Sequence, residues 1–131
     1  MFRFSAACVF AAILCPTLSY ADPASECGVE NNSQVKIADC LKDTAKRVDE
    51  TIKQTLGFAV ESARSLDGNT GRKVVEPALE KAHASWSAAR DAQCEYVEAT
   101  YAGGSGGSIA NLSCRIKMGR ERADVLLSFA G

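Results

Sequence analysis

Apolar residues recur at alternating steps of three and four from Leu41 to Leu66. This spacing is typical of an α-helix that buries one stripe of its surface. The stripe consists of Leu41, Ala45, Val48, Ile52, Leu56, Ala59, Ala63 and Leu66. Asn32 or Ser33 can cap the start of this helix, because a side-chain oxygen there accepts from an unpaired backbone N–H of the first turn. The segment Asp67–Gly71, which contains two glycines and an asparagine, predicts its end.

Two further helical stripes follow. The second consists of Val75, Leu79, Ala82, Trp86, Ala89, Gln93, Tyr96 and Val97. It predicts a helix from about Glu76 to about Tyr101, with Pro77 in the first turn, where a missing N–H does no harm. A third helix is expected to begin near Ser108 or Ile109. Its inward residues are expected to be Ile109, Leu112, Ile116, Ala123 and Leu126.

The predicted fold is all-α, since no stretch of the chain favours a strand. Three helices joined by short glycine-rich turns predict a small antiparallel three-helix bundle in up-down-up order. Residues 22–32 are expected to form a partly ordered lead-in that is held by Cys27. Many stripe positions are alanine, so the core is thin and covalent cross-links should contribute much of the stability.

The start of the chain is typical of a cleavable signal peptide. Arg3 precedes an apolar run, Ala6–Cys15, that is too short to span a bilayer. Small residues in Ser19-Tyr20-Ala21 then suit a signal peptidase that cuts before Asp22. The chain is therefore expected to comprise a signal peptide, residues 1–21, and one exported domain, residues 22–131. A periplasmic or secreted location is therefore expected. Membrane insertion after cleavage is not expected, because no second long apolar stretch follows.

Two of the six cysteines would leave with the signal peptide. The four that remain are Cys27, Cys40, Cys94 and Cys114. An even number of cysteines in a short exported chain predicts disulfides. Four thiols allow three pairings, of which Cys27–Cys40 with Cys94–Cys114 is favoured because each bond closes a short local loop. A zinc site is disfavoured, because neither pair has C-x-x-C spacing and His83, the single histidine, has no second ligand at helical spacing.

The charge of the predicted mature chain argues against nucleic-acid binding. Without Arg3, 14 Lys and Arg residues face 16 Asp and Glu residues, a net charge of −2. The basic residues are scattered, and their densest group, Arg115, Lys117, Arg120 and Arg122, is interleaved with Glu121 and Asp124. Such a pattern is typical of a solvated helix face rather than of a phosphate-binding surface.

One segment of the second helix resembles the signature of a known family. The segment Ala82–Cys94 reads AHASWSAARDAQC, and it resembles the A-Q-x-x-W-x-x-F-R-D-x-x-C signature of the LprI-like lysozyme inhibitor domain. That family continues with a Gly-Gly-Ser stretch, a further cysteine, T-x-x-R and a leucine, and it carries an upstream cysteine pair. The matching positions in this chain are Gly103 to Ser108, Cys114, Arg122, Leu126, Cys27 and Cys40. The chain departs from the pattern at His83, Ala89 and Gly119.

The motif residues admit a structural interpretation. Trp86 would be the largest core residue, Arg90 would stack on it or pair with a carboxylate, and Asp91 lies beside them. Arg122, on the third helix, would complete a buried polar contact. The glycine-rich segment is either a hinge between two helices or an inhibitory loop that enters a lysozyme cleft. Its residues are Gly103, Gly104, Ser105, Gly106, Gly107 and Ser108.

Two functions remain open at this point. The resemblance implies a lysozyme inhibitor, which needs only a rigid surface that is complementary to a cleft holding two carboxylates. The alternative is an envelope module that binds another envelope protein, for which an exposed apolar patch would be the discriminating feature. An enzyme is not expected, because no catalytic set, cofactor motif or phosphate-binding loop is present.

Overall fold

A computed structural model describes residues 21–131 as four α-helices with no strand among them. The helices are α1 (Pro23–Glu30), α2 (Gln34–Thr70), α3 (Val75–Ala99) and α4 (Gly107–Leu127). The all-α fold and both disulfides, Cys27–Cys40 and Cys94–Cys114, are confirmed. The predicted signal peptide lies almost wholly outside the described residues. None of the described helices is both long enough and apolar enough to cross a membrane.

The expectation of a partly ordered lead-in was wrong, because residues 23–30 form a fourth helix. Asp22 caps it by accepting from the backbone N–H of Ser25 at 3.0 Å, and Pro23 occupies the first turn. An eight-residue helix is marginal alone. Here the Cys27–Cys40 disulfide ties it to α2, and Arg120 of α4 donates two hydrogen bonds, of 2.8 and 2.7 Å, to the Glu26 carboxylate.

The long helix α2 begins and ends where the sequence predicts. Ser33 caps it by accepting from the N–H of Lys36 at 3.4 Å. Gly71 ends it in the left-handed region with φ 67°, which a residue without a Cβ adopts readily. The predicted stripe is buried or half-buried up to Ala63, whereas Leu66 is exposed. The stripe therefore faces the core everywhere except at its last position.

A carboxylate in the last turn of α2 caps the next helix. Asp67 accepts hydrogen bonds from the backbone N–H groups of Val74, Val75 and Glu76 at 2.9–3.2 Å. These bonds, above all that from Val75, hold the pKa of the Asp67 carboxyl below its usual range. The cap fixes the turn between α2 and α3, and it satisfies N–H groups that have no partner within α3.

The cross-contacts show that α2 and α4 run in one direction and α3 runs in the other. Leu41 of α2 clusters with Ile116 of α4, and Ala59, further along α2, clusters with Leu126, further along α4. In contrast, Asn111 of α4 contacts Glu98 of α3, whereas the later Arg115 contacts the earlier Asp91. The up-down-up order that the sequence predicts is therefore correct for the three long helices. Both disulfides, the start of α2 and the turn between α3 and α4 lie toward one end of the bundle, which we call the loop end.

The core lies mainly between α2 and α4, and the prediction for α3 was partly wrong. Ala82, Ala89, Gln93 and Tyr96, which belong to the predicted second stripe, are exposed. Only Cys94 of α3 is fully buried. The reason is that α3 lies against one side of the α2–α4 pair, so a narrower strip of its surface is covered. The largest fully buried side chains are Leu41, Ile116, Leu126 and Cys94.

Candidate functional site

The family-type motif forms a stack of cationic side chains around Trp86. The guanidinium carbon of Arg90 lies 4.8 Å from the Trp86 ring centroid, and that of Arg122 lies 5.5 Å from it. The His83 ring is stacked on Trp86 with centroids 5.6 Å apart. Trp86 is half-buried and packs against the edge of the Ile52-centred core cluster. Arg90 makes both of the contacts that the sequence left as alternatives, since it lies on Trp86 and pairs with a carboxylate, whereas Trp86 is not a fully buried core residue.

Ion pairs and a disulfide connect the same motif to both neighbouring helices. Arg90 Nη1 donates to Asp49 Oδ1 of α2 at 2.7 Å. Asp91 Oδ1 accepts from Arg115 Nη1 of α4, also at 2.7 Å. The Cys94–Cys114 disulfide joins α3 to α4 one turn further along. Each of these contacts joins α3 to α2 or α4.

Two of the side chains around Trp86 have a lowered pKa. Burial, followed by repulsion from Arg122 and Arg90, lowers the pKa of His83 below its ordinary value of 6.5. Burial also lowers the pKa of Arg122, whose Nε and Nη2 atoms are buried without a hydrogen-bond partner. Arg122 thus contacts the Trp86 ring but does not complete the polar contact that the sequence predicted. No group of three His, Cys, Asp or Glu side chains within residues 21–131 is placed to hold a metal ion.

The glycine-rich segment folds as a series of tight turns. The N–H of Ala102 donates to the carbonyl of Ala99 at 3.0 Å, and that of Gly104 to the carbonyl of Tyr101 at 2.8 Å. Ala102 and Gly103 both have positive φ, 49° and 80°. These bonds give the segment a defined shape rather than that of an open linker.

Two of these glycines lie close to Tyr101, so a side chain at either position would make a tight contact. A Cβ at Gly104 would lie 3.0 Å from the Tyr101 carbonyl oxygen, and one at Gly106 would lie 3.0 Å from the Tyr101 ring. Gly107 and Ser108, which the sequence assigns to the loop, belong to the first turn of α4. The exposed tip of the turn is therefore centred on Ser105.

Hydrogen bonds between α3 and α4 hold the two ends of the loop together. Asn111 of α4 donates to the backbone carbonyl of Cys94 at 3.1 Å and to Glu98 Oε2 at 2.9 Å. Arg115 donates through Nε to Asn111 Oδ1 at 3.0 Å, which continues the network to Asp91. Together with the Cys94–Cys114 disulfide, this network fixes the loop on two helices. Sequence reasoning missed Asn111, because its partners lie on another helix.

Exposed aromatic and acidic side chains flank the loop. Tyr96 is 66% exposed and Tyr101 is 49% exposed, although both are large and partly apolar. Glu95 and Glu98 are exposed in the same last turns of α3. Sequence reasoning assigned Tyr96 to the buried stripe and therefore missed it as a surface residue. We call Glu98, Tyr101 and the exposed turn at Ser105 the loop surface.

A family model described as lysozyme inhibitor LprI matches residues 25–126. The chain belongs to the LprI family. A comparison with curated proteins and another with solved structures gave no match. The matched range contains both disulfides, the Trp86 cluster and the loop surface, so these three features fall within the LprI domain. Phe129, in contrast, follows the matched range.

The LprI motif and the loop surface have different chemical characters. The motif residues are engaged with one another or with the neighbouring helices, so they are suited to holding the LprI fold. The loop surface presents hydroxyls, an aromatic ring and a carboxylate on a braced backbone, which are groups suited to binding a protein. It does not assemble a nucleophile, a base and an oxyanion-stabilising group.

Proposed function

We propose that this LprI family member is exported and inhibits a lysozyme by binding it through the loop surface. The observation that carries the proposal is the braced turn at Ser105 with the exposed Tyr101 beside it. An inhibitor of this kind performs no chemistry, because it acts by filling or covering a substrate cleft. The family match supports lysozyme as the class of target.

The structure of the loop surface suits an inhibitory contact. Tyrosine provides a large contact area at a small loss of side-chain entropy, and it is enriched among residues that dominate binding energies. Small residues at the turn allow close approach of its backbone to a cleft wall. Since the Cys94–Cys114 disulfide and Asn111 already order the turn, little conformational entropy is lost when it binds.

Charge and cross-linking support the same proposal. Lysozymes are basic proteins, and the exposed carboxylates of Glu95 and Glu98 beside the loop favour encounter with a basic surface. Two disulfides in a small domain are typical of an oxidising compartment. Export by the predicted signal peptide would place the domain where lysozyme acts on the cell wall.

Inhibition assays with matched variants test this proposal. The mature chain, residues 22–131, is added at micromolar concentration to a panel of lysozymes that clear a cell-wall suspension. We expect inhibition of at least one lysozyme, and about a tenfold or greater loss of it in Ser105→Arg, since a bulky cation would meet a basic partner at the contact. Ser85→Arg, at an exposed position in the middle of α3, is the control and should inhibit like the wild type.

The possible results show separately whether the protein inhibits a lysozyme and whether the loop surface makes the contact. If the wild type slows no lysozyme, the proposed function is wrong. If the wild type inhibits and Ser105→Arg inhibits equally well, the function stands but the loop surface is not the contact. Helix content and melting temperature should be almost unchanged in both variants, because exposed positions tolerate substitution.

One observation favours a second function. Phe58, Leu66, Leu127 and Phe129 are exposed near the end of the bundle opposite the loop. This is the apolar patch that an envelope interaction module would display. Failure of every lysozyme in the panel would favour this alternative.

A further inference from the structure

An apolar groove opens at the end of the bundle opposite the loop surface. It has a volume of about 310 Å³ and lies between the second half of α2, the start of α3 and the end of α4. Ala59 and Ala63 form part of one wall, and Leu79, Leu126 and Phe129 form others. Because alanines line much of it, adjacent helices leave space that larger side chains would fill. Its volume is in the lower part of the range, about 300–1,000 Å³, of small-molecule sites.

Arg122 is the charged residue among those that line this groove in the described part of the chain. Its Nε and Nη2 atoms are buried without a hydrogen-bond partner, and no carboxylate of residues 21–131 lies within ion-pair distance of it. Arg90, on the same Trp86 ring, differs because its charge is balanced by Asp49. A half-buried cation that has no ion pair and lines an apolar groove is complementary to an apolar ligand with one anionic group.

The polar groups of the groove favour an alkyl chain over a peptide. A bound peptide brings a row of N–H and C=O groups, each of which requires a partner when it is buried. Ser62 is the other polar side chain that lines the groove, and its hydroxyl already donates to the carbonyl of Gly131 at 3.4 Å. An alkyl chain has no N–H or C=O groups that would need hydrogen-bond partners in the groove.

We propose that the groove binds a fatty acid, with the alkyl chain between α2, α3 and α4 and the carboxylate on the guanidinium of Arg122. This site is separate from the loop surface, and it does not rest on the proposed lysozyme inhibition. The ligand makes no covalent bond and undergoes no reaction.

Calorimetric titration of the mature chain with dodecanoate and with dodecanol tests whether the groove binds a fatty acid. Each ligand is kept below the concentration at which it forms micelles. The two ligands share an alkyl chain, but only dodecanoate carries a carboxylate. The wild type should bind dodecanoate about tenfold or more tightly than dodecanol, because only the acid brings a negative charge to the guanidinium of Arg122. Trp86, the single tryptophan, should report the acid by a change in fluorescence, since Arg122 lies 5.5 Å from its ring.

Two pairs of variants locate the ligand. Arg122→Met should abolish the preference for the acid, whereas Arg47→Met, at an exposed arginine of α2, should preserve it. Ala82→Leu, which fills the groove from an exposed position of α3, should weaken both ligands about tenfold, whereas Ala88→Leu, at an exposed position outside the groove, should weaken neither. The Ala82 pair leaves Arg122 in place, so it tests the site even if Arg122→Met does not fold.

Three results would overturn the assignment. They are equal binding of acid and alcohol by the wild type, undiminished binding by Ala82→Leu, and binding of an apolar peptide with a free carboxyl terminus while dodecanoate does not bind. Lysozyme inhibition by Ala82→Leu provides an independent readout. It should equal that of the wild type whether or not the groove binds a fatty acid.

Discussion

The closest contact between α2 and α4 can be tested at Gly119. A Cβ placed on Gly119 would lie 2.5 Å from Val48 Cγ1 and 3.2 Å from Ile52 Cδ1. Val48 is β-branched and stiff, so Gly119→Ala must displace either it or a helix. Overpacking of this kind costs about 1–3 kcal/mol. The better helix propensity of alanine offsets about 1 kcal/mol of that cost, so the expected net loss is about 0–2 kcal/mol.

Gly57 provides the matched control. It also lies inside a helix, but it is exposed, and a Cβ at this position would have no neighbouring atom within 4 Å. Gly57→Ala should therefore stabilise the protein by about 0.5–1 kcal/mol through propensity alone. The two variants should differ by about 1–3 kcal/mol in urea unfolding followed by circular dichroism. Adding Val48→Ala to Gly119→Ala should recover most of the clash energy, which a double-mutant cycle measures. Equal stabilisation by both glycine substitutions would refute the close contact.

Three further predictions concern the motif and its disulfide. Trp86→Ala should lower the free energy of unfolding by about 2–3 kcal/mol, less than for a fully buried tryptophan, and a loss under about 1 kcal/mol in urea would show that its packing contributes little. Replacing both Cys94 and Cys114 by alanine should cost about 3 kcal/mol, and a thermal melt matching that of the wild type would contradict this. The folded-state pKa of His83 is lowered, so the unfolded chain binds more protons than the folded chain as the pH falls. The contribution of neutral His83 to stability is therefore complete above about pH 6.5 and is lost as the pH falls through the lower folded pKa. His83→Gln should accordingly lose less stability than the wild type between about pH 7 and pH 5, and identical losses would argue against the lowered pKa.

The sequence predicted those features that depend on local spacing. The stripe of α2, its cap at Ser33 and its end at Gly71 involve residues within a few positions of one another. The two disulfide pairings likewise follow from short loops. In contrast, α1 is too short to show a clear periodicity, and its stability depends on Arg120, which lies 94 residues from Glu26.

The parts of the candidate site that sequence reasoning missed depend on contacts between helices. Asp49 lies 41 residues before its partner Arg90, and Asn111 reaches Glu98 only because α3 and α4 are antiparallel. Tyr96 fits the helical period of the second stripe, but its exposure is set by how little of α3 is covered. The spacing of the apolar residues identifies one face of a helix, whereas the packing of the neighbouring helices determines how much of that face is buried.

Nuclear magnetic resonance of the isotope-labelled mature chain, titrated with a lysozyme that it inhibits, identifies the residues at the contact. We expect the largest chemical-shift changes on the loop surface, at Glu98, Tyr101 and Ser105. Resonances of Phe58 and Phe129, at the other end of the bundle, should change little. Changes concentrated on Phe58 and Phe129, with an unaffected loop surface, would contradict the proposed mode of inhibition.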